Sequence, residues 1–457
     1  MLVSVENPNG AYKGLVRIVG LFDAGSRYEK DLESRGITHL LRRSCGLSTK
    51  ELTQVNLTRH LNQMGASLRC ATSREHLIFS IDAPSCFAHR AAQLLATTAT
   101  QTLFFHWELK DVVYPLMEYD VEVLSRRRLD APTFFLFLNL CLTVASELLH
   151  EAAFGTHPSG TGLGNSLYAP KSMLTWFTED AISSFTSSYL RPDRLVLAVV
   201  GHHNGQELLQ STTKHIDLLD TNPSNTSKEH KEDSKPHGFV GGNIAYFFQV
   251  AYVWTIIKLI NHLLLAWPTS GNKDLKNHLS LAVISRALSG SAGRISHTTT
   301  AYSGNRLNSS FGESPEIDSL AMASGLYESY TDHGIFGFAV TAKCGKALAR
   351  RAQHCAKVIH KTLGDEEVLR GKALLKADLS IGFESSLSLA NDLALQIARN
   401  ESNTYLQPDQ LLSSIEKLTT QDINQAMKKV LSSPKTAMSV VGSNTHLVPH
   451  RSILLSS

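Results

Sequence analysis

Arg191-Pro192-Asp193-Arg194-Leu195-Val196-Leu197-Ala198-Val199-Val200-Gly201 decides the fold, because Ser433-Pro434-Lys435-Thr436-Ala437-Met438-Ser439-Val440-Val441-Gly442 repeats its design. Each is an apolar run entered from a proline-containing turn and closed by glycine, the pattern of a short buried strand. Upstream of each lies a threonine followed by acidic residues, Thr178-Glu179-Asp180 and Thr419-Thr420-Gln421-Asp422. That arrangement opens a helix, since a threonine oxygen and nearby carboxylates meet the free N–H groups of the first turn. Asp180 and Asp422 lie 242 positions apart, and Gly201 and Gly442 lie 241 apart.

Outward from that pair, Glu75-His76-Leu77-Ile78-Phe79-Ser80-Ile81 matches Asp332-His333-Gly334-Ile335-Phe336-Gly337-Phe338, with Cys86 and Cys344 following. Matches at four places in one order predict two homologous α+β domains, 1–219 and 238–457. Between the matches the first half is about 15 residues longer, and the apolar run Phe134 to Val144 is the place for the surplus. The intervening 220–237 is polar and nearly free of apolar side chains, too little to offset its ordering entropy, so it reads as a flexible linker. Strand-like runs at Leu15 to Phe22, His76 to Asp82 and Leu195 to Val200 alternate with helix-period segments at Arg90 to Thr98, Val144 to Phe154 and Ala347 to Leu363. The alternation predicts sheets covered by helices on one side.

The 457 residues are 42% hydrophobic and 19% charged, which excludes a disordered chain, a collagen-like fibre and a coiled coil. With 44 Lys+Arg against 41 Asp+Glu, no basic field points to nucleic acid. The six cysteines, Cys45, Cys70, Cys86, Cys141, Cys344 and Cys355, include no C-x-x-C pair and read as buried thiols of a reducing compartment. Met1 to Asn7 carries no targeting pattern. Ile244 to Trp267 is long enough for a membrane helix at about 1.5 Å per residue, but Gln249, Lys258, Asn261 and His262 stand against spanning. Core or partner-facing surface is the preferred reading, and a strand suits its composition equally.

Ala24-Gly25-Ser26-Arg27-Tyr28-Glu29 followed by Arg35-Gly36-Ile37-Thr38-His39-Leu40-Leu41-Arg42-Arg43 resembles the first domain of the pitrilysin-type metallopeptidase family. That family includes the mitochondrial processing peptidase and the core proteins of the respiratory cytochrome bc1 complex. Active members carry H-x-x-E-H on a helix, where two histidines hold Zn²⁺ and the glutamate activates its water. In this chain only His39 keeps its letter; Arg42 stands at the base position and Arg43 at the second ligand position. Arginine stays protonated and has no lone pair for a metal, so no zinc site is expected. The family's distal glutamate aligns with Leu116, with Glu118 nearby but out of register.

Further segments carry the resemblance: Arg74-Glu75, Asn165 to Pro170, Tyr330 to Phe338 and Phe383 to Ser386. The resemblance is nearest to the core-protein branch. It implies two mainly antiparallel sheets covered by helices in a metallopeptidase-like bowl, on the matrix side of the mitochondrial inner membrane. It further implies a structural subunit with no catalytic residue and no cofactor, held to the membrane through its complex. The implied partners are a core protein 1-like subunit and the subunits bearing cytochromes b and c1, in a dimeric assembly. The alternative is a presequence-binding, non-catalytic subunit of a processing peptidase, for which Glu313, Glu316 and Asp318 are candidate docking acids.

The resemblance also implies that residues are missing before Glu6-Asn7. Two apolar tracts, 134–144 and 246–262, interrupt it and would be prone to association if exposed. A partner or membrane contact and an origin outside the natural mature chain remain open for both. Gly160-Thr161-Gly162-Leu163-Gly164 lacks the strand–helix context of a phosphate loop, and Leu288-Ser289-Gly290-Ser291-Ala292-Gly293 reads as a glycine-rich helix exit.

Overall fold

The structure is a computed structural model and describes residues 2–5, 14–125, 134–156, 162–174, 177–201, 205–216, 238–247, 261–289, 306–308, 322–342, 345–399, 405–442, 447–448 and 450–451. The first half runs β1 (Leu2–Val5), β2 (Leu15–Phe22), α1 (Ile37–Arg43), α2 (Gln54–Met64), β3 (Ser67–Thr72), β4 (Leu77–Pro84), α3 (Ala88–Thr100), α4 (Tyr114–Ser125), α5 (Phe134–Phe154), α6 (Glu179–Tyr189), β5 (Leu195–Val200) and α7 (Gly205–Lys214). The second runs β6 (Asn243–Phe247), β7 (Asn261–Ser270), α8 (Leu275–Ser289), β8 (Met322–Ser329), β9 (His333–Ala342), α9 (Gly345–Ile359), α10 (Asp365–Glu384), α11 (Ser386–Arg399), α12 (Pro408–Glu416), α13 (Thr420–Leu431) and β10 (Ala437–Gly442).

The repeat is visible in the topology. One sheet has the order β1-β5-β2-β4-β3 and the other β6-β10-β7-β9-β8, each antiparallel apart from one parallel edge pair. Thr178 caps α6 by accepting from Ala181 N–H, and Thr419 caps α13 by accepting from Asp422 N–H while Asp422 reaches back to the Thr419 N–H. These are the two helix starts expected from the threonine-acid pattern.

Both sheets are covered on both faces, which corrects the expectation of one. All six residues of β5 are buried. In the first sheet Val16, Ile18, Phe79, Ile81, Leu197 and Val199 face a core built with α3. Val19, Leu21, Val196, Ala198 and Val200 face Leu389, Ala390, Leu393, Ala394 and Ile397 of α11. Successive strand residues point to opposite faces, so an unbroken apolar run needs a cover on each side. Burying each Val, Leu or Ile contributes about 1.5–3 kcal/mol. In the second sheet Ser439 turns towards α5, donating to the Ala145 carbonyl at 2.7 Å. Trp267 lies on the opposite parity and packs edge-on against His360 at the end of α9.

The covers therefore cross the sequence. The compact units do not follow the contiguous division 1–219 and 238–457: α5 belongs to the second unit, and α11 to the first. The linker 220–237 lies outside the described residues. The apolar run 134–144 is the start of α5 and continuous with the helix that covers the second sheet. Ile244 to Trp267 is not one helix: residues 243–247 form β6 and 261–270 form β7, while 248–260 lie outside the described residues. Among the described residues no helix is long and apolar enough to cross a membrane.

Candidate functional site

The helix bearing His39, Arg42 and Arg43 is held from its N-terminus. Gly36 precedes α1 at φ +88, and a Cβ there would lie 2.4 Å from Ala169 Cβ, so only glycine fits. The buried Glu29 carboxylate accepts from Gly36 N–H at 2.8 Å, Thr38 N–H at 3.0 Å and the Thr38 hydroxyl at 2.6 Å. It thereby meets donors that the first turn of a helix leaves unpaired. Burial pushes the Glu29 carboxyl up to about 7, against the pull of these three donors. Asn165 Nδ2 donates to the Ser26 and Glu29 carbonyls, Arg74 donates to the Asn165 carbonyl, and Arg27 pairs with Glu75 at 2.8 Å. Segments far apart in sequence thus form one buried polar clamp.

His39, fully buried, turns Nε2 towards Asp120 Oδ2 of α4 at 3.0 Å. Arg43 donates from Nε to Oδ2 at 2.7 Å and from Nη2 to Oδ1, a bidentate grip, and Arg42 Nη2 reaches Oδ2 at 3.3 Å. The Arg42 guanidinium also lies 5.3 Å from the centre of the Tyr168 ring. Burial alone would raise the Asp120 carboxyl, but the hydrogen bonds from His39 and Arg43 and the Arg43 charge outweigh it and hold the group well below the usual carboxylate range. Burial lowers His39, opposed by its bond to Asp120, and both arginines lower it further.

This arrangement does not fit a divalent metal. The Ala169 backbone N–H donates to His39 Nδ1 at 3.2 Å, which assigns the imidazole proton to Nε2. A metal-binding histidine needs the reverse, a bare nitrogen towards the metal and a donated N–H on the other side. The Asp120 oxygens meet three cationic or donor side chains, and the guanidiniums offer no lone pair. Among the described residues no group of three His, Cys, Asp or Glu side chains is placed to hold a metal ion.

Asp120 was not legible as the site's acid. Leu116, aligned with the distal glutamate, is 40% exposed, and Glu118 is exposed as well. A π-helical turn at Leu109–Val113 precedes α4, so counting along an ideal helix loses the register. Gly162-Leu163-Gly164 joins the clamp, since Arg74 also donates to the Leu163 carbonyl; Gly160 and Thr161 lie outside the described residues. So do Gly290 to Gly293, Glu313, Glu316 and Asp318. Burial pushes the Cys45 and Cys355 thiols up to about 12 and raises Cys70, but by surface only Cys355 of these is buried, Cys45 and Cys70 are half-buried and Cys86 is exposed, contrary to the reading of all six as buried. The side chain of Cys141 and all of Cys344 lie outside what is described.

Comparison with known proteins gives the following. The family described as Insulinase (Peptidase family M16) matches residues 7–134, and the Peptidase M16 inactive domain matches residues 177–375. The probable mitochondrial-processing peptidase subunit alpha-1 of Arabidopsis thaliana is 24% identical, over 95% of this chain and 78% of that protein. The cytochrome b-c1 complex subunit 2 of Homo sapiens is 23% identical, over 95% of this chain and 86% of that protein. A chain in the structure of complex III2 from Candida albicans shares the fold with a TM-score of 0.71 at 15% identity, covering 99% of this chain and 96% of that one.

Proposed function

The chain belongs to the M16 peptidase family, and from that premise we propose that it is a non-catalytic core subunit of mitochondrial complex III, the ubiquinol–cytochrome c reductase, on the matrix side of the inner membrane. The observation that carries the non-catalytic reading is the closed ion cluster at the family's metal position. Asp120 is gripped by Arg43, approached by Arg42 and bonded to the Nε2 of His39. A water-activating base and a second imidazole have both given way to guanidiniums, so the helix that would cut peptides serves as a buried strut. Likeness to subunit 2 of the cytochrome b-c1 complex over most of both chains supports the assembly. The partners this implies are a core protein 1-like subunit and the subunits bearing cytochromes b and c1, in a dimeric complex.

Mild-detergent purification of the tagged full chain from mitochondria tests the reading. Haem-bearing cytochromes b and c1 should co-elute, and metal analysis should find zinc far below one ion per copy. A haem-free soluble chain would overturn the assembly, and stoichiometric zinc would overturn the strut. A second reading, a presequence-binding subunit of a processing peptidase, is favoured by the equally extensive likeness to the alpha subunits. It predicts that a zinc-bearing partner cleaves presequence peptides only when this chain is added.

A further inference from the structure

The second unit holds a histidine whose setting is the reverse of the His39 position. His150 of α5 is fully buried, and its Nδ1 lies 2.7 Å from the Ser146 carbonyl. A carbonyl oxygen only accepts, so Nδ1 carries a proton and the neutral ring presents a lone pair at Nε2. That is the orientation of a metal-binding histidine, with an N–H donated on one side and a bare nitrogen on the other. At His39 the tautomer is the opposite, and it faces an acid already gripped by arginine.

Two oxygens converge on the His150 nitrogen. Glu328 near the end of β8 and Tyr330 just beyond it stand two positions apart, so an extended backbone brings both to one face. The Tyr330 hydroxyl lies 2.7 Å from His150 Nε2, Glu328 Oε2 lies 3.2 Å from the same nitrogen, and the two oxygens are 3.1 Å apart. Each of these three atoms carries a lone pair, and with the carboxylate ionised only the phenol brings a proton. Zinc ligands stand about 2.0–2.2 Å from the ion, which in a tetrahedron spaces neighbours about 3.3–3.6 Å apart. The triangle is therefore close to the size that an ion would set. The Phe154 ring walls it on one side, 6.2 Å from the His150 ring and 6.3 Å from that of Tyr330, and a low-dielectric wall strengthens attraction to a cation. The Glu328 side chain is 38% exposed, which leaves a way in from solvent.

We propose that His150 Nε2, the Glu328 carboxylate and the Tyr330 oxygen bind a divalent transition-metal ion, with water completing its shell. One imidazole with two anionic oxygens suits Zn²⁺ and its first-row neighbours. The phenol gives its proton to solvent as the ion arrives, since a metal ligand must be deprotonated. Isothermal titration of the chelator-washed full chain with Zn²⁺ tests this, alongside ultraviolet difference spectra for ionised tyrosine. One ion should bind at this site per chain, with the tyrosinate signal rising in step. Loss of an outer-shell partner alone weakens metal sites about 10–100-fold, so Glu328→Gln and Tyr330→Phe should each cost at least about tenfold. Tyr330→Phe should also abolish the tyrosinate signal. Glu328→Gln alters a partly exposed side chain, so it keeps the test decisive if the fold does not tolerate Tyr330→Phe. Zinc held equally by the unaltered chain and by Glu328→Gln would overturn the proposal and point to the His39 position instead, which keeps failure of this site distinct from failure of the strut. Absence of saturable uptake, or uptake with no tyrosinate signal, would overturn it as well.

Discussion

The two units share a sheet order, yet their covers are fastened by different forces. On the first sheet α11 lies on an apolar seam, Leu389, Ala390, Leu393, Ala394 and Ile397 against Val19, Leu21, Val196, Ala198 and Val200, with a polar tie from Arg17 to Ser386. On the second, α5 is held by directed bonds. Ser439 donates to the Ala145 carbonyl, Val240 N–H to the Ala153 carbonyl at 2.8 Å, and the His150 Nε2 meets the Tyr330 hydroxyl at 2.7 Å. Duplicated topology therefore fixes where a cover must lie but not how it is attached. An apolar seam supplies area without direction, whereas hydrogen bonds fix one helix position.

The largest effect should come from charging the seam. Ala394 is fully buried, and Ala394→Asp would place a carboxylate there with no partner. The expected loss is about 3–5 kcal/mol, read as a lower denaturation midpoint in urea. Hydrogen exchange should show lost protection first in β2 and β5. Equal loss in β7 and β10 would break the assignment of α11 to the first unit.

Residues that act locally were legible, and residues whose role depends on distant chain were not. The apolar runs of β5 and β10, the caps Thr178 and Thr419, and the paired β4 and β9 segments each carry their signal within a few residues. The spacing of Leu389, Leu393 and Ile397 marks an amphipathic helix, but no local pattern says that it covers a sheet built some 190 residues earlier. The same limit hid Asp120. Glu118, Asp120 and Glu122 follow one another at alternate positions, and only the helix register after the π turn selects the one facing His39. Loss of the metal motif was legible because it is written in His39, Arg42 and Arg43 alone; the charge that neutralises those arginines was not.

Acidification should separate the units, with an effect of about 3 kcal/mol at most. In the second unit burial lowers His262 from 6.5 to about 4. The unfolded chain then takes the proton first, so stability present above about 6.5 is lost as pH falls towards 4. In the first unit Glu29 is raised from 4.5 to about 7, and here the folded state takes the proton first. Its contribution is full below about 4.5 and lost as pH rises through 7. Between pH 7 and 5, opening free energies from hydrogen exchange should fall in β7 and β10. Around α1 the gain from Glu29 is set against the loss from the lowered His39 on that helix, so Glu29→Gln should remove the gain there and leave β7 and β10 unchanged. Parallel changes in both regions would blur the contrast, and His262→Gln should flatten the fall in the second unit alone.

The smallest effect isolates the polar fastening itself. His150 is fully buried; its Nδ1 donates to the Ser146 carbonyl at 2.7 Å, which leaves Nε2 to meet Tyr330. The Tyr330 hydroxyl also lies 3.1 Å from Glu328 Oε2 within the same β8–β9 hairpin, so its single proton serves either that carboxylate or the His150 Nε2 of α5, which itself lies 3.2 Å from Glu328 Oε2. Tyr330→Phe keeps the ring, including its edge contacts with His150 and Phe154, and removes only the hydroxyl. The net cost of such a hydrogen bond is about 1 kcal/mol, rising towards 2 where the buried partner is left unmet. Protection should drop across residues 145–154 of α5 and stay unchanged in α11. If instead Tyr330→Phe is silent while Leu149→Ala costs about 2–5 kcal/mol, α5 is held by apolar area like its counterpart, and the two units differ in chain order alone.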